Sequence, residues 1–307
     1  MIESRPMIGE PAYGWFDARI LRALGRLKII NRRPVPGTHH ATRTARRTGS
    51  SIEFAEHRSY VPGDDPRLLD WTAYGRFDRL YTRLFHDEED LHVCLLLDVS
   101  RSMHTALSPG LDKFAMARRL AAVLAHVALA GQLQVSLGFF AESLVQFSEP
   151  LRGKNRFHRI LTLLDSPPAG GTGTSFASAL SGVAAASPRR SLVVVISDFF
   201  DPSGIEIPLR KLLHRRCDIA LVDIYETFDA GALPSGDLLV VDAETAMEVA
   251  IDGSTDTIAR LASKIANRTE SMHRWAGQSG IPFARVCANA GEDAAVRSLI
   301  GAGVLRQ

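Results

Sequence analysis

Asp98, Ser100 and Ser102 are the residues of this chain whose type and spacing most directly suggest chemistry. They close the apolar run that starts at Leu91, which reads as a buried strand. One carboxylate and two hydroxyls therefore fall in the loop at a strand's carboxyl end. Hard divalent cations such as Mg²⁺ take oxygen ligands of this kind and keep waters on their other positions. In open α/β sheets the ligand crevice lies at the carboxyl ends of the strands. Two later segments point to the same place. Gly170-Gly171-Thr172-Gly173-Thr174 precedes a small-residue helix, and Ser191 to Asp198 is a second apolar strand ending in a carboxylate. Each piece alone reads as readily as a turn, a helix cap or strand-end punctuation. Together, in this order, Asp98, Ser100, Ser102, Thr172 and Asp198 favour a site for Mg²⁺ or another divalent cation such as Mn²⁺ or Ca²⁺, with Thr174 competing with Thr172 as ligand.

Loops that share a site need a scaffold that brings strand ends together. Apolar runs predict strands over 91–98, 135–141, 192–197, 219–225 and 282–287. Helical periodicity falls between them, over 112–130, 156–164, 176–186, 207–215, 255–278 and 292–300. A hairpin is expected between 238–241 and 247–251. Such alternation implies an α/β fold with a doubly wound, mostly parallel sheet. Upstream, Phe16, Ile20, Leu21, Leu24 and Leu27 sit at helical spacing within Trp15 to Ile30, an amphipathic helix that needs a surface to pack on. Residues 31–50 carry Arg32, Arg33, Arg43, Arg46 and Arg47 and no acidic residue. They read as an exposed linker or as a contact for an anionic partner, including peripheral contact with a membrane. The expected organisation is 1–50 as helix and basic linker, 51–90 as a segment packing on the following domain, and 91–307 as the α/β domain.

The composition narrows the function classes. A net charge of +2 over 307 residues argues against a dedicated nucleic-acid binder, which needs a concentrated basic face. Cys94, Cys217 and Cys287 are widely spaced, which suits a reducing compartment better than a disulfide framework. The amino terminus lacks the basic-then-apolar order of a signal peptide. The longest apolar stretch, Leu120 to Leu133, is too short to span a bilayer. The expectation is a cytoplasmic protein. No Gly-x-x-x-x-Gly-Lys-Ser/Thr phosphate loop occurs, and the histidines show no zinc-ligand spacing.

The strand ends in Asp98-x-Ser100-x-Ser102 and Ile196-Ser-Asp198, with Gly170-Gly171-Thr172 between them, resemble the von Willebrand factor A domain. The upstream run Gly63-Asp64-Asp65-Pro66-Arg67-Leu-Leu-Asp70-Trp71 is similar to the signature of the bacterial family called domain of unknown function 58. The resemblance runs from about Ile52 to the end of the chain. It implies a von Willebrand factor A-like, Rossmann-type fold and a protein that is not an established enzyme. It also implies a metal-ion-dependent adhesion site in which a partner carboxylate takes the open coordination position. Family members are associated with MoxR-type AAA ATPases and are thought to act as chaperone-like assembly or activation factors for client proteins. Carried over by position, Asp98, Ser100 and Ser102 fill the first loop, Thr172 the second and Asp198 the third, with Asp201 close behind. Arg67, Asp70 and Trp71 are candidates for partner binding. Local capping and ion pairing by the acidic residues explain the same segment equally well, with Trp71 fastening it to the sheet.

Hydrolase readings are weaker. Gly173-Thr-Ser175 superficially resembles the serine motif of subtilisin-like proteases, but the chain order His39, Asp98, Ser175 differs from theirs. A phosphatase using Asp98 as nucleophile wants a second carboxylate two residues on, and Ser100 stands there. The alternative that stays open is a Mg²⁺-dependent hydrolase built on Asp98 and Asp198.

Overall fold

The computed structural model describes residues 23–30, 54–61, 69–85, 91–105, 112–171, 173–189, 191–201, 203–226, 236–244 and 247–307. The chain divides into two compact units, one of residues 32–90 and one that joins 1–31 to 91–307. The larger unit begins with β1 (Lys28–Ile29). In the smaller unit β2 (Phe54–Ser59) pairs antiparallel with β3 (Tyr81–Phe85), and α1 (Trp71–Phe77) falls between them in the chain. The larger unit continues with β4 (His92–Asp98), the short α2 (Arg101–His104), α3 (Lys113–Ala130), β5 (Gln134–Phe140), β6 (Leu144–Phe147) and β7 (Leu151–Arg152). Next come α4 (Phe157–Asp165), α5 (Phe176–Ala186), β8 (Leu192–Ser197), α6 (Glu206–His214) and β9 (Asp218–Tyr225). The hairpin β10 (Asp237–Val241) and β11 (Glu248–Asp252), α7 (Thr255–Gln278), β12 (Phe283–Cys287), α8 (Glu292–Gly301) and β13 (Leu305–Arg306) complete it.

The central sheet has the order β12-β9-β8-β4-β5-β6, with β7 also paired to β5. The four pairings from β12 through β5 are parallel, and β6 and β7 join antiparallel. Every residue of β4 is buried, which is why its sequence reads as an unbroken apolar run. The side-chain period of two divides that run between two layers. Val93, Leu95 and Leu97 enter one core with α3, α4 and α8, while Cys94 and Leu96 enter the other with α5, α6 and α7. Side-chain hydroxyl or carboxylate caps start the helices that frame the site. Asp112 Oδ1 accepts the Ala115 N–H at 3.0 Å to start α3, and Ser175 caps α5. This is the doubly wound, mostly parallel α/β arrangement expected from the sequence.

One expectation changes, and β2, β3, β6 and β7 were not expected. The helix predicted to run to Ile30 gives way to β1, which pairs with β13 so that Lys28 faces Arg306 and Ile29 faces Leu305. Leu24, Leu27 and Ile29 are buried in the α3 layer, so sheet pairing and tertiary burial override helical periodicity there. The upstream segment also contains the antiparallel β2–β3 pair, with α1 between its strands, which the sequence did not suggest; the turn expected at Gly63 to Pro66 lies outside the described residues. β6 and β7 are too short and too weakly patterned to be seen in advance. No helix among the described residues is long and apolar enough to cross a membrane.

Candidate metal centre

The order of the sheet creates the site. From β4 the chain steps to β5 on one side, and later returns to β8 on the other side of β4. The loops after β4 and β8 therefore diverge at the point where the winding reverses, which is where α/β sheets open a crevice. Asp98 ends β4, and Asp198 follows Ser197 at the end of β8.

Asp98 is fully buried. Its Oδ1 accepts the Ser100 N–H at 2.9 Å and its Oδ2 accepts the Ser197 hydroxyl at 2.6 Å. Burial, and then the neighbouring Asp198 carboxylate, push its pKa up to about 7 against the opposing pull of the serine hydrogen bonds. The Ser100 and Ser102 hydroxyl oxygens stand 3.0 Å apart, and the Ser102 hydroxyl donates to Asp198 Oδ1 at 3.4 Å. Adjacent ligands of an octahedral Mg²⁺ at about 2.1 Å lie roughly 3.0 Å from each other, so the two serine oxygens are already spaced as neighbouring ligands. Asp98, with both oxygens engaged by the protein, suits a contact through water. The donor set is all oxygen, as a hard cation requires. Among the described residues no group of three or more His, Cys, Asp or Glu side chains forms a metal cluster, so the hydroxyls are essential to any such site.

The third loop carries more than its aspartate. Lys113, the first residue of α3, donates to Asp198 Oδ2 at 2.7 Å. Phe199 is buried with φ of 56°, a left-handed conformation unusual for a bulky residue. It is held there by stacking on Phe176 at 5.6 Å and by Arg268, whose Nη2 donates to the carbonyls of Phe199 and Asp201, each at 2.8 Å. Asp201 accepts the Phe176 N–H at 2.9 Å and the Ser203 N–H at 2.7 Å, so it caps α5 and shapes the loop. Beside the loop a cavity of about 140 Å³ is lined by Lys113, Asp198, Phe200, Asp223, Arg268 and Arg285, among others. Asp223 pairs with Arg285 at 2.8 Å; burial raises its pKa to about 6 even so.

Thr172 lies outside the described residues. Thr174 is engaged elsewhere: its hydroxyl and N–H donate to Glu244, at 2.7 and 3.2 Å, from the turn of the β10–β11 hairpin. The Gly173 N–H donates to Glu142 at 3.1 Å. Gly170 is required for close approach, since a Cβ there would stand 2.1 Å from the Val99 carbonyl oxygen. Ser175 is a helix cap, His39 lies outside the described residues, and His104 packs its ring on Phe114 at 4.6 Å. Sequence reasoning missed Lys113, Ser197, Arg268 and Glu244. Only Ser197 left a signal, as the residue before the strand-end aspartate.

In the smaller unit, Arg67 lies outside the described residues. Asp70 is the cap of α1, its Oδ1 accepting the Thr72 and Ala73 N–H groups at 2.9 and 3.0 Å. Trp71 does not fasten the segment into a core: it is 65% exposed, as is Phe77, and Tyr74 between them is 42% exposed. At spacings of three residues the rings share one side of α1.

A model of the family described as "Protein of unknown function DUF58" matches residues 56–272. Uncharacterized proteins of Mycobacterium tuberculosis and Mycobacterium bovis are 26% identical over 254 residues, covering 80% of this chain and 79% of theirs. Among solved structures, the conserved hypothetical protein BatB from Bacteroides thetaiotaomicron matches at 13% identity and a TM-score of 0.41, over 69% of this chain and 98% of that one. A von Willebrand factor type A protein from Catenulispora acidiphila matches at 15% identity and a TM-score of 0.37, over 49% of this chain and 36% of that one.

Proposed function

Because the chain belongs to the DUF58 family, whose model covers residues 56–272, we propose that it is a non-enzymatic interaction factor that binds a partner protein through a divalent cation. Asp98 and Asp198 supply the charge, directly or through water, and Ser100 and Ser102 supply neutral oxygens. Thr172 is assigned to the same shell by position in the sequence. A carboxylate of the partner completes it. When bound, the ion supplies a Lewis-acidic bridge between the two proteins. The observation that carries this reading is the convergence of Ser100, Ser102 and Asp198 oxygens, at 3.0 and 3.4 Å, over a fully buried Asp98. The partner we assign, from the family resemblance, is a cytoplasmic MoxR-type AAA ATPase or its client. The exposed face of α1 around Trp71 offers it a second contact.

The test is capture of that ATPase by tagged full-length protein in Mg²⁺ and in EDTA, with wild type and Asp98→Ala. Capture much stronger in Mg²⁺ than in EDTA, with the Mg²⁺-dependent share lost in Asp98→Ala while its circular dichroism stays native, is the expected result. Equal capture by both proteins in both buffers would remove the metal site from the contact. Turnover of a generic phosphomonoester with Mg²⁺, lost in Asp98→Ala, would assign a hydrolase instead.

A further inference from the structure

The divalent-cation reading leaves one charged group at the site without a role. Lys113 and Asp198 form an ion pair at 2.7 Å with side chains only 11% and 2% exposed. The ammonium does not arrive on a mobile arm. Lys113 is the first residue of α3, the Asp112 cap fixes where that helix starts, and the next residue, Phe114, is buried in the core. Asp198 meets this ammonium with Oδ2 and presents Oδ1 to the Ser102 hydroxyl and the Phe200 N–H. One carboxylate therefore faces the serine oxygens on one side and a fixed positive charge on the other.

We propose that Lys113 is a tethered cation that competes with the divalent ion for Asp198, so that the ion is held weakly until a partner carboxylate joins its shell. This rests on the divalent-cation reading and concerns how that site is controlled. The physical ground is charge balance. Buried carboxylates are tolerated only when paired, and Lys113 provides that pairing when no ion is bound. A divalent ion held by Asp198 would share that carboxylate's single negative charge with the ammonium, and their mutual repulsion would act where screening by solvent is weak. A partner carboxylate restores the missing negative charge and shifts the balance toward the ion. The displaced ammonium has a second acceptor, since Lys113 lines the same cavity as Asp223. The site then discriminates between an isolated ion and an ion delivered together with an acidic ligand.

The experiment is calorimetric titration of MnCl₂ into the metal-free full-length protein, comparing wild type, Lys113→Met, Lys113→Arg and Asp198→Asn. Lys113→Met is expected to bind Mn²⁺ at least about tenfold more tightly than wild type, as removal of one nearby like charge at low screening implies. Lys113→Arg, which keeps the charge, should stay near wild type. If Lys113→Met unfolds, Lys113→Gln, which keeps a donor for Asp198, makes the same comparison. Binding by Lys113→Met that is no tighter than wild type, with binding abolished in Asp198→Asn, would overturn the role of Lys113 and leave the metal site standing. No Mn²⁺ binding by any of the proteins would overturn the metal reading and this inference with it.

Discussion

Asp98 enters the fold as a buried acid between two serines and a second carboxylate, and its ionisation has a measurable cost. The ordinary pKa of 3.8 is raised to about 7 in the folded chain, by burial first and by Asp198 second. Between those values the folded protein holds a proton that the unfolded chain has released. The group's contribution to stability is therefore complete below the unfolded pKa and is lost as pH rises through the folded one. Asp223 acts in the same direction over a narrower window, up to about pH 6. In EDTA the melting temperature of the wild-type protein is expected to fall between pH 5 and about 7.5 by this linkage. Asp98→Asn should flatten most of that fall, because an amide has no proton to release. Thermal melts at a series of pH values check this, and a slope unchanged in Asp98→Asn would mean that another group carries it.

At the scale of elements, the second loop is held from outside by the hairpin. Glu244, in the β10–β11 turn, accepts both the N–H and the hydroxyl of Thr174. Apolar residues cover little of that hairpin's own structure: Leu239, Val241, Met247 and Val249 are all more than half exposed. A two-stranded ribbon of this kind is marginal by itself, so the glutamate clamp ties the loop and the ribbon to each other. Glu244→Ala is expected to speed amide hydrogen exchange at Thr174 and in β10 and β11, while amides of β4 and β8 keep their protection. Exchange followed by mass spectrometry distinguishes this from global destabilisation, which would speed all of them. The clamp was not legible in the sequence, because it joins residues 70 apart and neither partner belongs to a local pattern. The same holds for Lys113 and Asp198, which lie 85 residues apart. What was legible was periodic or local. The unbroken apolar runs of β4 and β8 announced a sheet buried on both faces, and the bounds expected for α5, β8 and α7 match those observed. Asp98, Ser100, Ser102 and Asp198 were legible because strand ends in a parallel sheet must converge. Trp71 misled, because aromatic character predicts burial and says nothing about which face of a short helix meets solvent.

At the scale of the whole molecule, the proposed function gives the two units two different kinds of contact surface. On that reading the larger unit's oxygen cluster contributes through a divalent ion. The smaller unit exposes the rings of Trp71, Tyr74 and Phe77 on one side of α1, where contact with the proposed partner would rest on apolar area and not on an ion. Aromatic side chains left this exposed add little to the stability of the unit that carries them, yet they are the kind that dominates binding energy at interfaces. Simultaneous replacement of Trp71, Tyr74 and Phe77 by alanine is therefore expected to shift the unfolding free energy by no more than about 1 kcal/mol, as surface changes do. The same triple variant should lower capture of the MoxR-type ATPase in Mg²⁺ and in EDTA alike. Asp98→Ala should lower capture in Mg²⁺ alone. Because the two sets of residues share no described partner, their effects on binding free energy should add when combined. Titration of the purified ATPase against the four proteins in both buffers measures each term. An aromatic variant that loses only the Mg²⁺-dependent share would mean that the rings act through the metal site rather than as a separate surface.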